Sequence, residues 1–141
     1  MKRLLSILCL ALFASGAWAG GVTVSNPWIR YLPGGAPSAG YFTLHNGTDH
    51  KVRLTGAHCD AFGRTMLHRS VEKDGVSRMI HVDGVDAAPG KDIRFQPGGY
   101  HVMFMMPKHA LKIGSRMPVT LHFADRPDMK VEFTVRPPSA Q

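Results

Sequence analysis

Apolar and polar residues alternate with a period of two in short runs, and a turn signal cuts each run within roughly ten residues. Gly40 to His45 carries Tyr41, Phe42 and Leu44 and stops at Asn46-Gly47; Lys51 to His58 alternates through Val52, Leu54 and Gly56. Asp92 to Phe95, the run through His101, Val119 to Phe123 and Lys130 to Val135 repeat the pattern, the last two joined by Asp125-Arg126-Pro127-Asp128. Gly21 to Ser25 reads as a strand ended by Asn26-Pro27, with Trp28 to Tyr31 as a separate run. Asp83 to Gly90 and Lys108 to Pro118 read as irregular. No ten-residue window shows helical periodicity. Side chains that alternate can bury only one face of a sheet, so such strands must close on each other as an antiparallel sandwich or barrel. The fold class expected is all-β with eight or so strands.

The first residues have a different character. Met1-Lys2-Arg3 precedes a mainly apolar run from Leu4 to Phe13 and then Ala17-Trp18-Ala19, a small-x-small site before Gly20. This order predicts a secretory leader over residues 1–19, cleaved after Ala19, and hence an exported, periplasmic protein. Cys9 lies inside the apolar run without the small residues of a lipoprotein box, and reads as a leader residue. Residues 20–136 then form one domain and residues 137–141, Pro-Pro-Ser-Ala-Gln, a disordered tail. The formal net charge of +7 loses Lys2 and Arg3 with the leader, leaving +5. The basic residues are scattered and not interleaved with stacking aromatics, which argues against nucleic acid. Cys59 remains as a single thiol, so no disulfide within the domain is available and the core alone must hold it together. It reads as a small buried apolar residue.

Chemistry concentrates between Met66 and Met106. In Tyr100-His101-Val102-Met103-Phe104-Met105-Met106, alternation sends His101, Met103 and Met105 to one face and Val102, Phe104 and Met106 to the other. Upstream, His68 and Met79 flank Glu72-Lys73-Asp74-Gly75, a hairpin signal read as a three- or four-residue loop with Gly75 at positive φ. Closing that hairpin brings His68 and Met79 within about one register step. Two imidazoles and two thioethers make a neutral N₂S₂ donor set without carboxylate or cysteine. Thioethers are soft and select copper(I), whereas zinc sites take thiolate, imidazole or carboxylate and hard cations take oxygen. The uncancelled charge of copper(I) places such a site near the surface.

The order His68, ten residues, Met79, twenty-one residues, His101, one residue, Met103 resembles the PCuAC family of periplasmic copper(I) chaperones. The resemblance extends through Asn26-Pro27-Trp28-Ile29-Arg30, Asn46-Gly47, Gly75-Val76, Pro89-Gly90 and Pro97-Gly98-Gly99-Tyr100. Ser77-Arg78 stands where many relatives carry a further methionine, and the tail lacks the His/Met-rich extension of some relatives. The resemblance implies a cupredoxin-like Greek-key sandwich and a Cu(I) site of His68, Met79, His101 and Met103. As acceptor it implies the dinuclear copper centre of cytochrome c oxidase subunit II, reached directly or through a Sco-type thiol protein.

Around this set, Met66 and Met105 read as a hydrophobic wall rather than accessory donors, and His81, two residues from Met79, as a neighbour or substitute ligand. No nucleophile elbow or paired-carboxylate arrangement is readable, so no enzyme is expected. A blue-copper centre needs a cysteine close before the later His and Met, and Cys59 is far upstream of His101. The chain reads as a monomer. Two other classes fit the sequence: a copper buffer or resistance protein, and a metal-free sandwich for adhesion or assembly.

Overall fold

The computed structural model describes residues 20–141. The leader over residues 1–19, its cleavage after Ala19 and the reading of Cys9 lie outside the described residues. Ten strands follow in chain order: β1 (Val22–Arg30), β2 (Ser38–Asn46), β3 (Val52–His58), β4 (Phe62–Lys73), β5 (Val76–His81), β6 (Val85–Ala87), β7 (Asp92–Phe95), β8 (Tyr100–Pro107), β9 (Arg116–Phe123) and β10 (Met129–Arg136). They form one hydrogen-bonded sheet in the order β5-β4-β8-β7-β2-β1-β10-β9-β3-β6, and β8 also pairs with β2. Most neighbours are antiparallel, but β1 runs parallel to β10 and β7 parallel to β8. Strands distant in sequence therefore lie side by side, as in a Greek key.

The sheet curls so that both of its ends share one core. Leu54 of β3 and Leu67 of β4, far apart in the strand order, belong to a single buried cluster with Ile29, Leu44, Phe104 and Phe133. The short turn after β3 makes this possible: Phe62 N–H donates to Cys59 O (3.1 Å) and Lys108 N–H to Ala61 O (2.9 Å). Cys59 is buried there as an apolar residue, and burial pushes its thiol pKa up. Phe42 stacks on Phe95 at 4.3 Å, and Phe104 meets Phe62 at 5.0 Å and Phe133 edge-on at 6.5 Å. A Cβ on Gly40 of β2 would stand 2.6 Å from the Phe104 ring, so glycine is what lets that ring lie flat beneath β2.

Beyond shifts of a residue or two at strand ends, β1, β6 and β9 differ from the sequence expectation. β1 continues through Asn26-Pro27 because the register shifts between Ser25 and Trp28. A bulge, with Asn26 at φ 51°, accommodates the missing Pro27 N–H. β6 is only three residues long, too short for alternation to be seen, yet Val85 and Ala87 are core residues. β9 begins at Arg116, before the apolar residues that mark it.

Asn46, at the end of β2, shows how closely the ends are tied. Its buried amide donates to His50 O and Ala87 O, both at 2.8 Å, and its oxygen accepts from Thr48 N–H (3.0 Å) and the Thr48 hydroxyl (2.6 Å). Asn46→Ala leaves the buried Ala87 carbonyl without its donor, while His50 O keeps the Thr48 hydroxyl at 3.0 Å, and we expect a loss of about 1–3 kcal/mol in denaturant unfolding. A loss under about 0.5 kcal/mol would mean water replaces the amide.

Candidate metal centre

The site begins with a tight hairpin. Lys73 pairs with Val76, leaving a two-residue loop, and Asp74 (φ 55°) and Gly75 (φ 74°) both adopt positive φ. This is the type I′ geometry that Asp-Gly favours, rather than the longer loop expected. The loop fixes the register: His68 faces His81, and Met79 faces Ser70. His68 and Met79 are therefore diagonal neighbours on one face, two residues out of register.

β8 lies on the other side of β4, with His68 opposite His101 and Met66 opposite Met103. Leu67 opposes Val102 on the reverse face and belongs to the core, so the His/Met face points away from the core. Two parallel rows result. One runs Trp28, Tyr41, His101, His68, His81, with adjacent ring centroids at 4.8, 6.5, 5.9 and 5.9 Å. The other runs Arg30, Ala39, Met103, Met66 through consecutive strand pairs.

The ring nitrogens are poised as metal donors. Pro97-Gly98 forms a type II turn, with Gly98 at φ 80° and Gly99 N–H donating to Gln96 O at 2.9 Å. Gly99 O then accepts from Ser70 N–H at 3.0 Å and from His101 Nδ1–H at 3.3 Å. A carbonyl can only accept, so the proton sits on Nδ1 and the bare lone pair on Nε2. His101 Nε2 and His68 Nδ1 are both buried without a hydrogen-bond partner. Burial without a partner is costly, and a metal ion would satisfy both atoms. His101 is only 3% exposed, whereas Met79 on the edge strand β5 is 61% exposed.

The remaining histidines are engaged otherwise. His45, His50, His58, His81 and His122 pair with Asp92, Asp49, Asp60, Asp83 and Asp128 at 2.7–3.2 Å. His109 Nδ1 lies 3.2 Å from Ala110 O. Only His68 and His101, among the described residues, carry a buried ring nitrogen with no hydrogen-bond partner. Both titrate below the ordinary histidine value, chiefly through burial; His101 and His81 add to this at His68, and Arg30 at His101. Neutral imidazole, the ligating form, is thus favoured.

Met79, His101 and Met103 open onto one cavity of about 370 Å³, bordered on its far side by Arg30 and Tyr41. No group of three or more His, Cys, Asp or Glu side chains among the described residues is placed to hold a metal. The donors gathered at this cavity instead mix imidazole with thioether, the set that suits a soft monovalent ion. Arg30 and Tyr41 were not identified from sequence as part of the site. The period-two pattern of Trp28-Ile29-Arg30-Tyr31 puts Arg30 and Trp28 on one face, but only the pairing of β2 with β8 brings that face to Met103.

A family model described as putative lipoprotein LpqE-like matches residues 22–135. A putative lipoprotein of Leifsonia xyli subsp. xyli is 30% identical over 122 residues, 86% of this chain and 73% of its own. A Rickettsia prowazekii protein is 31% identical over 99 residues, 70% of this chain, and the chain spans only 55% of that relative. Among solved structures, the copper-bound PCuAC domain from PmoF2 superposes with a TM-score of 0.71 at 22% identity, covering 85% of this chain and 96% of that one. The solution structure of copper(I)-bound DR1885 from Deinococcus radiodurans gives 0.65 at 30% identity, covering 86% and 83%. The all-β, cupredoxin-like architecture expected from the sequence is the one these domains share. The chain belongs to the LpqE-like family, whose structural relatives are PCuAC domains.

Proposed function

We propose that this chain is an exported copper(I) carrier, in which His68, Met79, His101 and Met103 hold one copper(I) ion as cargo. The observation that carries the proposal is the pair of buried, partnerless ring nitrogens, His68 Nδ1 and His101 Nε2, on facing residues. Met103 follows on the same face of β8, and Met79 borders the cavity from the edge strand. His81, edge-on to His68 and held by Asp83, lies at the border of this set.

The arrangement suits transfer. His101 is fixed by Gly99 at the inner wall, while Met79 is exposed on β5, an edge strand of the sheet among the described residues. A neutral thioether there dissociates without taking up a proton, so an incoming ligand can replace it first. Thiolates bind copper(I) more strongly than thioethers, which sets the direction of transfer. The acceptor we propose is the dinuclear copper centre of cytochrome c oxidase subunit II, directly or through a Sco-type thiol protein, with a periplasmic location. Mixing copper(I)-loaded protein with the reduced, copper-free soluble fragment of subunit II, with and without a Sco-type protein, tests it by copper analysis after separation. Copper should leave with the acceptor; retention in both mixtures would indicate a buffer.

The pH dependence has a definite sign. The folded pKa values of His68 and His101 are depressed, so folding favours their neutral forms. Their contribution to stability is full above the unfolded value of about 6.5 and is lost as pH falls toward the folded values. Proton competition with copper(I) likewise starts only below the ordinary histidine range. Affinity should therefore be flat from about pH 8 to 6.5 and fall in more acid buffer. A steady decline across pH 8 to 6.5 would contradict neutral, depressed-pKa ligands.

A further inference from the structure

The cavity beside the metal donors has features that copper(I) alone does not require. Among the described residues Arg30 is the only charged one bordering it, and no carboxylate does so. Among the described residues Arg30 forms no salt bridge. Its guanidinium donates to the Tyr41 hydroxyl at 2.7 Å and lies 5.3 Å from the centre of that ring. It occupies the row Arg30, Ala39, Met103, and the small Ala39 side chain leaves the space between cation and thioether open. A second cation near copper(I) opposes binding of the metal by itself, so its presence calls for an anion between them. Met103 and Met79 supply soft, apolar borders, while Ser70 and Ser77 add hydroxyls. At about 370 Å³ the space falls in the range of small-ligand pockets.

We infer that this cavity is a port for a thiolate, which binds copper(I) through sulfur while Arg30, braced by Tyr41, balances its charge. The inference rests on the copper(I) reading above and adds to it where the incoming thiolate enters and that Arg30 receives its charge. In the step, the thiol releases its proton to water, its sulfur forms a bond to copper, and one thioether leaves with its lone pair. Copper stays monovalent and no electron is transferred. A small thiol and a cysteine of a docked protein present the same group.

The test uses copper(I)-loaded residues 20–141, anaerobically, with N-acetylcysteine and separately with a reduced cysteinyl peptide, comparing the parent with Arg30→Gln and Arg30→Lys. Thiol binding is read from ultraviolet sulfur-to-copper absorption and from shifts of the Arg30 Nε–H resonance. Arg30→Gln should weaken thiol binding about tenfold or more, and Arg30→Lys by less than about threefold, on the scale of a partly buried charge pair. Copper(I) affinity against a non-thiol chromophore should move the opposite way, holding or tightening by up to a fewfold in Arg30→Gln, because a like charge is removed. Loss of both affinities in Arg30→Gln with recovery of both in Arg30→Lys would make Arg30 a structural brace and overturn the inference. Equal thiol binding by parent and Arg30→Gln would overturn it too. A parent that binds no copper(I) would instead defeat the carrier reading and take this inference with it. If N-acetylcysteine and the peptide bind alike, a small thiol suffices; binding by the peptide alone assigns the port to a protein partner.

Discussion

His101→Ala lowers copper(I) affinity by about a hundredfold or more, the largest loss expected from any single substitution at the site. His101 is the most buried donor, and its imidazole arrives with the tautomer already set by Gly99 O. Removing it deletes a pre-oriented ligand and leaves His68 Nδ1 facing an empty space. Met79→Leu should cost less, roughly tenfold, because an exposed thioether on an edge strand is held loosely. His45→Ala is the internal control: that ring pairs with Asp92 on the surface, away from the rows that carry the donors. A titration against a chromophoric competitor ranks the three. Equal affinities for parent and His101→Ala would remove His101 from the ligand set.

Phe104→Ala should cost about 3–5 kcal/mol and lower the melting midpoint by roughly 10–20 °C. The side chain is fully buried between Phe62 and Phe133, against a glycine that leaves no atom able to fill the gap. Typical domains have only about 5–15 kcal/mol of stability, so this is a large share. Phe104 also sits between Met103 and Met105 on β8, and its ring anchors the strand from the core side. We therefore expect the metal-bound form to be destabilised as well, with weaker copper binding even though no ligand has changed. A loss below about 1 kcal/mol in thermal unfolding would mean that the neighbouring rings collapse into the space.

The two results reflect how the sequence is read on either face of one strand. Alternation from Tyr100 to Met105 made the His101/Met103 face and the Val102/Phe104 face visible without a structure, because the period of a strand is fixed by its pleat. Met106, expected on the core face, is instead 63% exposed with φ 56°. Register was less accessible. Asp74-Gly75 suggested a hairpin, but whether two residues or more form the loop depends on both positions taking positive φ. That choice puts Ser70 rather than His68 opposite Met79, and His81 beside His68. Strand order was not accessible at all. Arg30 and Tyr41 reach the site only because β2, paired with its sequence neighbour β1, also pairs with β8 across five intervening strands, a contact that no local pattern encodes. The two features missed in β1 and β6 have smaller causes: a bulge that lets a strand pass a proline, and a strand too short to show a period.

The most direct test of the carrier reading is an anaerobic copper(I) titration of residues 20–141 against a chromophoric competitor, followed by X-ray absorption of the loaded protein. One equivalent should bind, with a coordination shell of mixed nitrogen and sulfur from imidazole and thioether, and Met79→Leu should lose one sulfur from it. No binding, or a shell of nitrogen and oxygen unchanged in Met79→Leu and Met103→Leu, would contradict it.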